Sequence, residues 1–154
     1  LYSKSLESGA KILECDFGNA MRIITGLISK YRQAGLIRIR IINTLAIGKV
    51  FLALAAGEEK LPMNVMLKNL GFLLGNLPAA YKRGVFYFNQ AIELAEKTDN
   101  RVFLADALLH LGKLYRAKKK KSEAGATLEN ALTVLEETDM DDLRSEVKTE
   151  LEKL

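Results

Sequence analysis

An all-α arrangement of antiparallel helical hairpins follows from three features of these 154 residues. Apolar residues recur at intervals of three and four along most of the chain, the spacing of a helix with one buried face. Two prolines and eleven glycines are too few punctuation marks for the many tight turns of an all-β sandwich of this length. Hydrophobic residues make up 49% and charged residues 27%, the balance of one folded domain and not of a disordered tail.

The elements read in order. Leu1 to Cys15 forms a weakly patterned first helix, with Leu6, Ala10 and Leu13 near helical spacing, broken at Asp16, Phe17 and Gly18. Asn19 is placed to cap a second helix that runs to Arg32 on Ile23, Ile24, Leu27, Ile28 and Tyr31, and Gly35 ends it. A long apolar helix spans Leu36 to Ala56. It is long enough to raise the question of a membrane span, but Arg38, Arg40, Asn43 and Lys49 interrupt it, and each charge would cost about 2.5 to 3.5 kcal/mol near a bilayer centre. A buried central helix is therefore expected, and no membrane partner.

Pro62 suits the first turn of a fourth helix reaching Gly75, because its missing N–H would have had no partner there. Pro78 opens a fifth, to Lys97, with Ala80, Gly84, Phe88, Ala91, Ile92 and Ala95 along one stripe. Phe86, Tyr87 and Phe88 are consecutive, so they cannot all face one core. Asp99 and Asn100 precede a sixth helix, Arg101 to Ala117; a lysine run then turns the chain into a seventh, Ser122 to Glu137. The eighth, Asp141 to Leu154, carries Leu143, Val147, Leu151 and Leu154 on one side. Such short linkers favour consecutive antiparallel hairpins.

Self-comparison exposes a repeat. Leu108, Leu111, Gly112 and Tyr115 on one helix, with Ala124, Leu128 and Ala131 on the next, fall at the spacing of a tetratricopeptide repeat, which this stretch resembles. A second copy reads upstream as Leu67, Leu70, Gly71 and Leu74, followed by Gly84, Phe88, Ala91 and Ile92. Ala91 and Ala131 lie 40 residues apart, longer than the roughly 34 of the standard repeat. Glycine at positions 71 and 112 lets a partner helix approach closely, while Ala124 and Ala131 keep the opposing ridge low.

The resemblance implies a right-handed superhelix of stacked hairpins, an α-α solenoid, with repeats at 62–97 and 101–137 and a capping helix at 141–154. Residues 1–61 read as degenerate or divergent repeats. Ile47, Gly48 and Phe51 imitate the Leu-Gly-Tyr helix, yet Lys60 stands twelve residues after Gly48, where a small residue belongs. Stretched copies of this kind resemble the arrays that follow catalytic or switch domains in bacterial signalling ATPases, cyclases and transcription activators. The chain is therefore expected to be a cytoplasmic segment of a larger bacterial signalling protein, an expectation that Leu1 in place of an initiator methionine supports.

No catalytic, metal or cofactor pattern emerges, and the expectation is a protein that is not an enzyme. His110 and Cys15 are each the sole residue of their type, with no nucleophile or ligand set around them, and Cys15 fits a reducing compartment. Gly71 to Gly75 lacks the lysine and hydroxyl of a P-loop. The acidic run from Glu136 to Asp142 lacks the glycine and spacing of a calcium loop. Net charge is +4, and the densest cations, Arg116 with Lys118, Lys119, Lys120 and Lys121, read as a solvated turn at a helix C-terminus. A nucleic-acid-binding repeat using that turn is the alternative from another class, and a structural dimerisation spacer is a third.

In the resembled family the first helix of each pair lines a concave groove that binds a peptide or helix. Carried over, that groove comprises Lys68, Asn69, Phe72 and Asn76 from one repeat and Asp106, Leu109, His110, Lys113 and Arg116 from the next. The mixture is net cationic with apolar interruptions, which suits a peptide with acidic and hydrophobic anchors. It departs from the carboxylate clamp of chaperone co-factors, since Leu109 and Lys113 replace that subset's lysine and asparagine. The expected partner is a protein or peptide, either separate or another domain of the same parent chain, with self-association through the last helix as the lesser reading. Enlarging Ala131 to leucine should overpack the hairpin and cost about 1 to 3 kcal/mol in urea unfolding, while the same change on the lysine turn should move stability by less than about 0.5 kcal/mol.

Overall fold

The computed structural model describes residues 16–57, 63–136 and 138–154, and every regular element among them is helical. In chain order these are α1 (Phe17–Gln33), α2 (Ile37–Ala56), α3 (Met63–Lys68), α4 (Leu70–Asn76), a 3-10 turn (Leu77–Ala79), α5 (Ala80–Lys97), α6 (Arg101–Ala117), α7 (Lys121–Leu135) and α8 (Asp141–Glu152). The helix expected before Cys15, Cys15 itself, Pro62 and Glu137 lie outside the described residues.

Side chains near the helix ends decide where the helices start and stop. Asp16, and not Asn19, caps α1, its Oδ1 accepting the Asn19 N–H at 3.2 Å. Asn100 caps α6 in the same way, accepting from the Phe103 N–H at 3.2 Å. Gly35 and Asp99, at φ 68° and 47°, close α1 and α5 with matching bonds: Leu36 N–H donates to the Tyr31 carbonyl at 3.0 Å, and Asn100 N–H to that of Ala95 at 2.9 Å. Arg144 reaches back to the carboxyl end of α7, donating to the Leu135 and Thr138 carbonyls at 2.7 and 2.8 Å.

The helix expected from Pro62 to Gly75 is broken at Asn69, which separates α3 from α4. Its amide is drawn sideways: Oδ1 accepts the Phe17 N–H at 2.8 Å and Nδ2 donates to the Val65 carbonyl at 2.9 Å. The break is thereby anchored to the start of α1. Pro78 sits within the 3-10 turn, so α5 begins at Ala80.

Pairing of the helices corrects the upstream hairpin read from the sequence. α5 pairs with α2, α6 with α7, and α5 with α6; α1 and α6 also lie on α2, and α8 lies on α7 and α6. A Cβ on Gly48 would stand 2.6 Å from Phe88 Cε1, and one on Gly112 would stand 2.6 Å from Leu128 Cγ, whereas one on Gly71 would meet nothing within 4 Å. Gly48, and not Gly71, is therefore the point of close approach to Phe88. Leu67, Leu70 and Leu74, expected to pack with Gly71, are exposed. Their segment is split into pieces of six and seven residues, while α2 offers twenty residues with Ile47 and Phe51 fully or nearly buried beside Gly48.

Thirty-six residues separate Gly48 from Gly84, but twelve separate Gly112 from Ala124, so an excursion of 24 residues carrying α3 and α4 is inserted between two helices that pair. Lys60 misfits the spacing because it lies in that excursion. The first residue of α6 follows that of α2 by 64 positions and the first residue of α8 follows that of α6 by 40, and the difference of 24 is again the excursion. α2 and α8 both contact α6.

Gly84 marks where α2, α5 and α6 converge, since a Cβ there would lie 2.8 Å from Leu114 Cδ2 and 3.5 Å from Phe51 Cβ. Around that point Ile41, Leu45, Phe88, Ala91, Ala95, Ala107, Leu111 and Leu114 form one core, and Leu109, Leu128, Ala131, Leu135 and Val147 belong to the next. Leu143, Leu151 and Leu154 of the last segment pack on that second core. α2 is long and apolar enough to cross a membrane by length and composition, but it buries Ile41, Leu45, Ile47 and Phe51 within the protein. Of the three consecutive aromatics Phe88 is fully buried, Tyr87 stacks on Phe51 at 5.7 Å and Phe86 is exposed.

Gly48→Ala should destabilise by about 1 to 3 kcal/mol, because a buried Phe88 ring has nowhere to retreat. Gly71→Ala should be neutral or stabilising by up to about 1 kcal/mol, as an exposed helical glycine gives way to a better helix former. Urea midpoints of the two variants check the pairing, and the reverse order would contradict it.

Candidate functional site

The expected groove residues divide into two groups in space. Lys68, Asn69, Phe72 and Asn76 belong to the excursion. Asn69 is buried and tied to α1, Phe72 faces the Phe17 ring at 6.2 Å, and Asn76 donates to the Phe72 carbonyl at 2.7 Å while accepting from Arg83. Lys68 is exposed on α3. The structure does not bring them together with the α6 residues; α2, and not α3 or α4, is the helix packed on α6 from that side of the chain.

On α6, Asp106, His110 and Lys113 recur at four and three residues and share one face, with Arg116 a turn beyond. Leu109 does not line it, being fully buried in the core shared with α7. Lys49 of α2 donates to Asp106 at 3.1 Å. His110 Nδ1 stands 2.8 Å from the Asp106 carbonyl oxygen and 3.0 Å from its carboxylate, so the proton on Nδ1 points at Asp106. Burial pushes the Asp106 carboxyl up, but the hydrogen bond and charge of His110 and the Lys49 ammonium together outweigh it and hold the carboxyl below the ordinary aspartate value.

Further along, Lys113 donates to Glu146 at 2.6 Å and Arg116 Nε to Glu150 at 3.0 Å, both carboxylates belonging to α8. Lys153 adds a third cation at 2.6 Å from Glu150. Burial raises the Glu150 carboxyl, and Lys153, Arg116 and Lys113 more than reverse that, leaving it low. The cationic character expected of this face is thus met from within the chain. Lys49, Glu146 and Glu150 were not legible as site residues, although the spacing of Glu146 and Glu150 on α8 and the 40-residue register were signals that pointed to them.

What remains open lies toward the amino ends of α6 and α8. A cleft of about 340 Å³ is lined by Val102, Phe103, Met140 and Leu143, with Asp106, Asp142 and Glu146 at its edges. Its walls are apolar, and of its three carboxylates Asp106 is paired with Lys49 and His110 and Glu146 with Lys113, while Asp142 is exposed, so the cleft does not carry the cationic surplus expected from the sequence. The basic turn is also partly engaged: Arg116 is held by Glu150, Lys120 lies 2.8 Å from Glu123 and 5.9 Å over Tyr81, and Lys121 donates to the Leu154 carbonyl.

Searches against protein-family models, curated proteins and solved structures find no match to this chain. Its chemistry therefore rests on its own geometry.

Asp106 and Glu150 titrate below the values of roughly 3.9 and 4.3 that they have in an unfolded chain, so their contribution is complete above those values and is lost as pH falls through them toward the folded values. Glu150→Gln should cost about 1 to 3 kcal/mol near neutrality, and the gap to the parent should shrink as pH falls below the ordinary glutamate value and the parent carboxyl begins to take up its proton. Urea unfolding of both proteins at about pH 7 and about pH 3 measures this.

Proposed function

We propose that this chain is a non-enzymatic protein-interaction module of tetratricopeptide type, a right-handed stack of helical hairpins serving a larger cytoplasmic bacterial signalling protein. The equal close approaches of Gly48 to Phe88 and Gly112 to Leu128, with α2 and α8 both in contact with α6, support that reading of the stack. The partner is a peptide segment, from a separate protein or from another domain of the parent chain.

The observation that carries the binding assignment is the cleft between α6 and α8. Apolar walls from Val102, Phe103, Met140 and Leu143 take hydrophobic anchors, and Asp142, exposed at the cleft while Asp106 and Glu146 are paired with Lys49 and Lys113, sets the charge of what flanks them. A segment with one or two bulky apolar residues beside lysine or arginine fits; an acidic segment meets like charge. Lys113 and Arg116 act as struts that fix α8 beside α6 and so hold the cleft open.

Fluorescence anisotropy with paired peptides, identical in their leucine and phenylalanine anchors but carrying lysines in one and glutamates in the other, tests the assignment. The lysine peptide should bind about tenfold or more tightly. Asp142→Lys should weaken it by about tenfold while circular dichroism stays unchanged, because Asp142 is exposed at the cleft edge. Equal binding of the two peptides, or no effect of Asp142→Lys, would remove the cleft from the proposal.

A further inference from the structure

A second surface, independent of the cleft, lies on the excursion between α2 and α5. The excursion buries one polar side chain beside Leu73 and leaves several apolar ones exposed. Asn69 is 4% exposed, while Met66, Leu67, Leu70, Leu74 and Leu77 are between 44 and 66% exposed. Positions 67, 70, 74 and 77 step by three, four and three residues and so form one row, with Asn69 and Leu73 turned toward the protein. A single exposed leucine needs no account, but a row of this kind does.

Charge is also unevenly divided along the chain. From Phe17 to Ile92 there are ten lysines and arginines against two carboxylates, Glu58 and Glu59, a net charge of +8. From Glu93 to Leu154 there are eleven against fourteen, a net charge of −3. Lys68, Lys82 and Arg83 stand on α3 and α5, the elements that carry and follow the row, and all three are exposed, Arg83 while also donating to Asn76. Asp16, at the start of α1 nearby, is engaged as a cap and accepts from Asn19.

We propose that the α3–α4 face docks on an anionic lipid surface. The leucine row enters the boundary between headgroups and acyl chains, and the surrounding cations meet lipid phosphates. This is attachment from one side, with no helix crossing, and it replaces the expectation of no membrane partner. The charges favour this occupant over others. A second copy docked through the same row would bring two cationic halves together. Nucleic acid would satisfy the cations but leave the leucines in water. A lipid surface offers negative charge and apolar depth on one plane.

Co-sedimentation of the 154-residue chain with sucrose-loaded vesicles tests the proposal. Vesicles of phosphatidylcholine with a quarter phosphatidylglycerol should bind it about tenfold or more strongly than phosphatidylcholine alone, and high salt should weaken the binding. Leu67→Ser with Leu74→Ser should lower partition onto the anionic vesicles by about tenfold. Both side chains are exposed, and unchanged circular dichroism and urea midpoint would show that the fold is intact. Equal partition onto both vesicle types, or partition indifferent to the double change, overturns the proposal. So does a lipid-free dimer in sedimentation velocity that the double change abolishes, or capture of an acidic amphipathic peptide by the row in the absence of vesicle binding.

Discussion

Helix pairs in this chain come together where one backbone offers no Cβ and the facing helix fills the space with a single large side chain. Phe88 lies over Gly48 and Leu128 over Gly112, each at a separation that a methyl group would violate. A knob and a bare patch of backbone fit in one register, since sliding either helix by a residue sets side chain against side chain. The remaining core follows. Small residues at Gly84, Ala91, Ala124 and Ala131 admit neighbours on the other side, and α6 comes to contact both α2 and α8.

That constraint acts across whatever length of chain intervenes. Loop-closure entropy rises by only about 0.6 kcal/mol for each doubling of loop length, so a detour of 24 residues is a small charge against burying Phe88 and Phe51. The detour is then free to serve another purpose. Its polar Asn69 fastens it to the start of α1 and Leu73 turns inward, while Leu67, Leu70 and Leu74 face outward.

Electrostatics on the α6 face follows from the helices that contact α6. Asp106 is met from α2 by Lys49, and Lys113 and Arg116 are met from α8 by Glu146 and Glu150. These contacts are ionic links from α6 to its neighbours, and their net worth is modest where the partners are partly exposed, as at Lys49–Asp106 and Lys113–Glu146, while Glu150 is buried. Their larger consequence is for recognition: cations that look available along α6 are taken together with Asp106 and Glu146, and the open end of the face is left apolar with Asp142 exposed beside it.

The amino-acid sequence by itself determined the helices. α6 was legible to the residue and α2 to within one, because periodicity, caps such as Asn100 and the glycine at 35 act over a few neighbouring positions. It also determined the close approach of Gly112 to the α7 helix, since those elements adjoin in the chain. Which helix meets Phe88 was decided in three dimensions. Leu70-Gly71 and Ile47-Gly48 copy the same spacing equally well, and a spacing does not say how far along the chain its partner lies. Charge at the site was decided there too, for Glu150 is 34 residues from Arg116 and neutralises it only once Leu128 and Val147 have packed α7 and α8 into place.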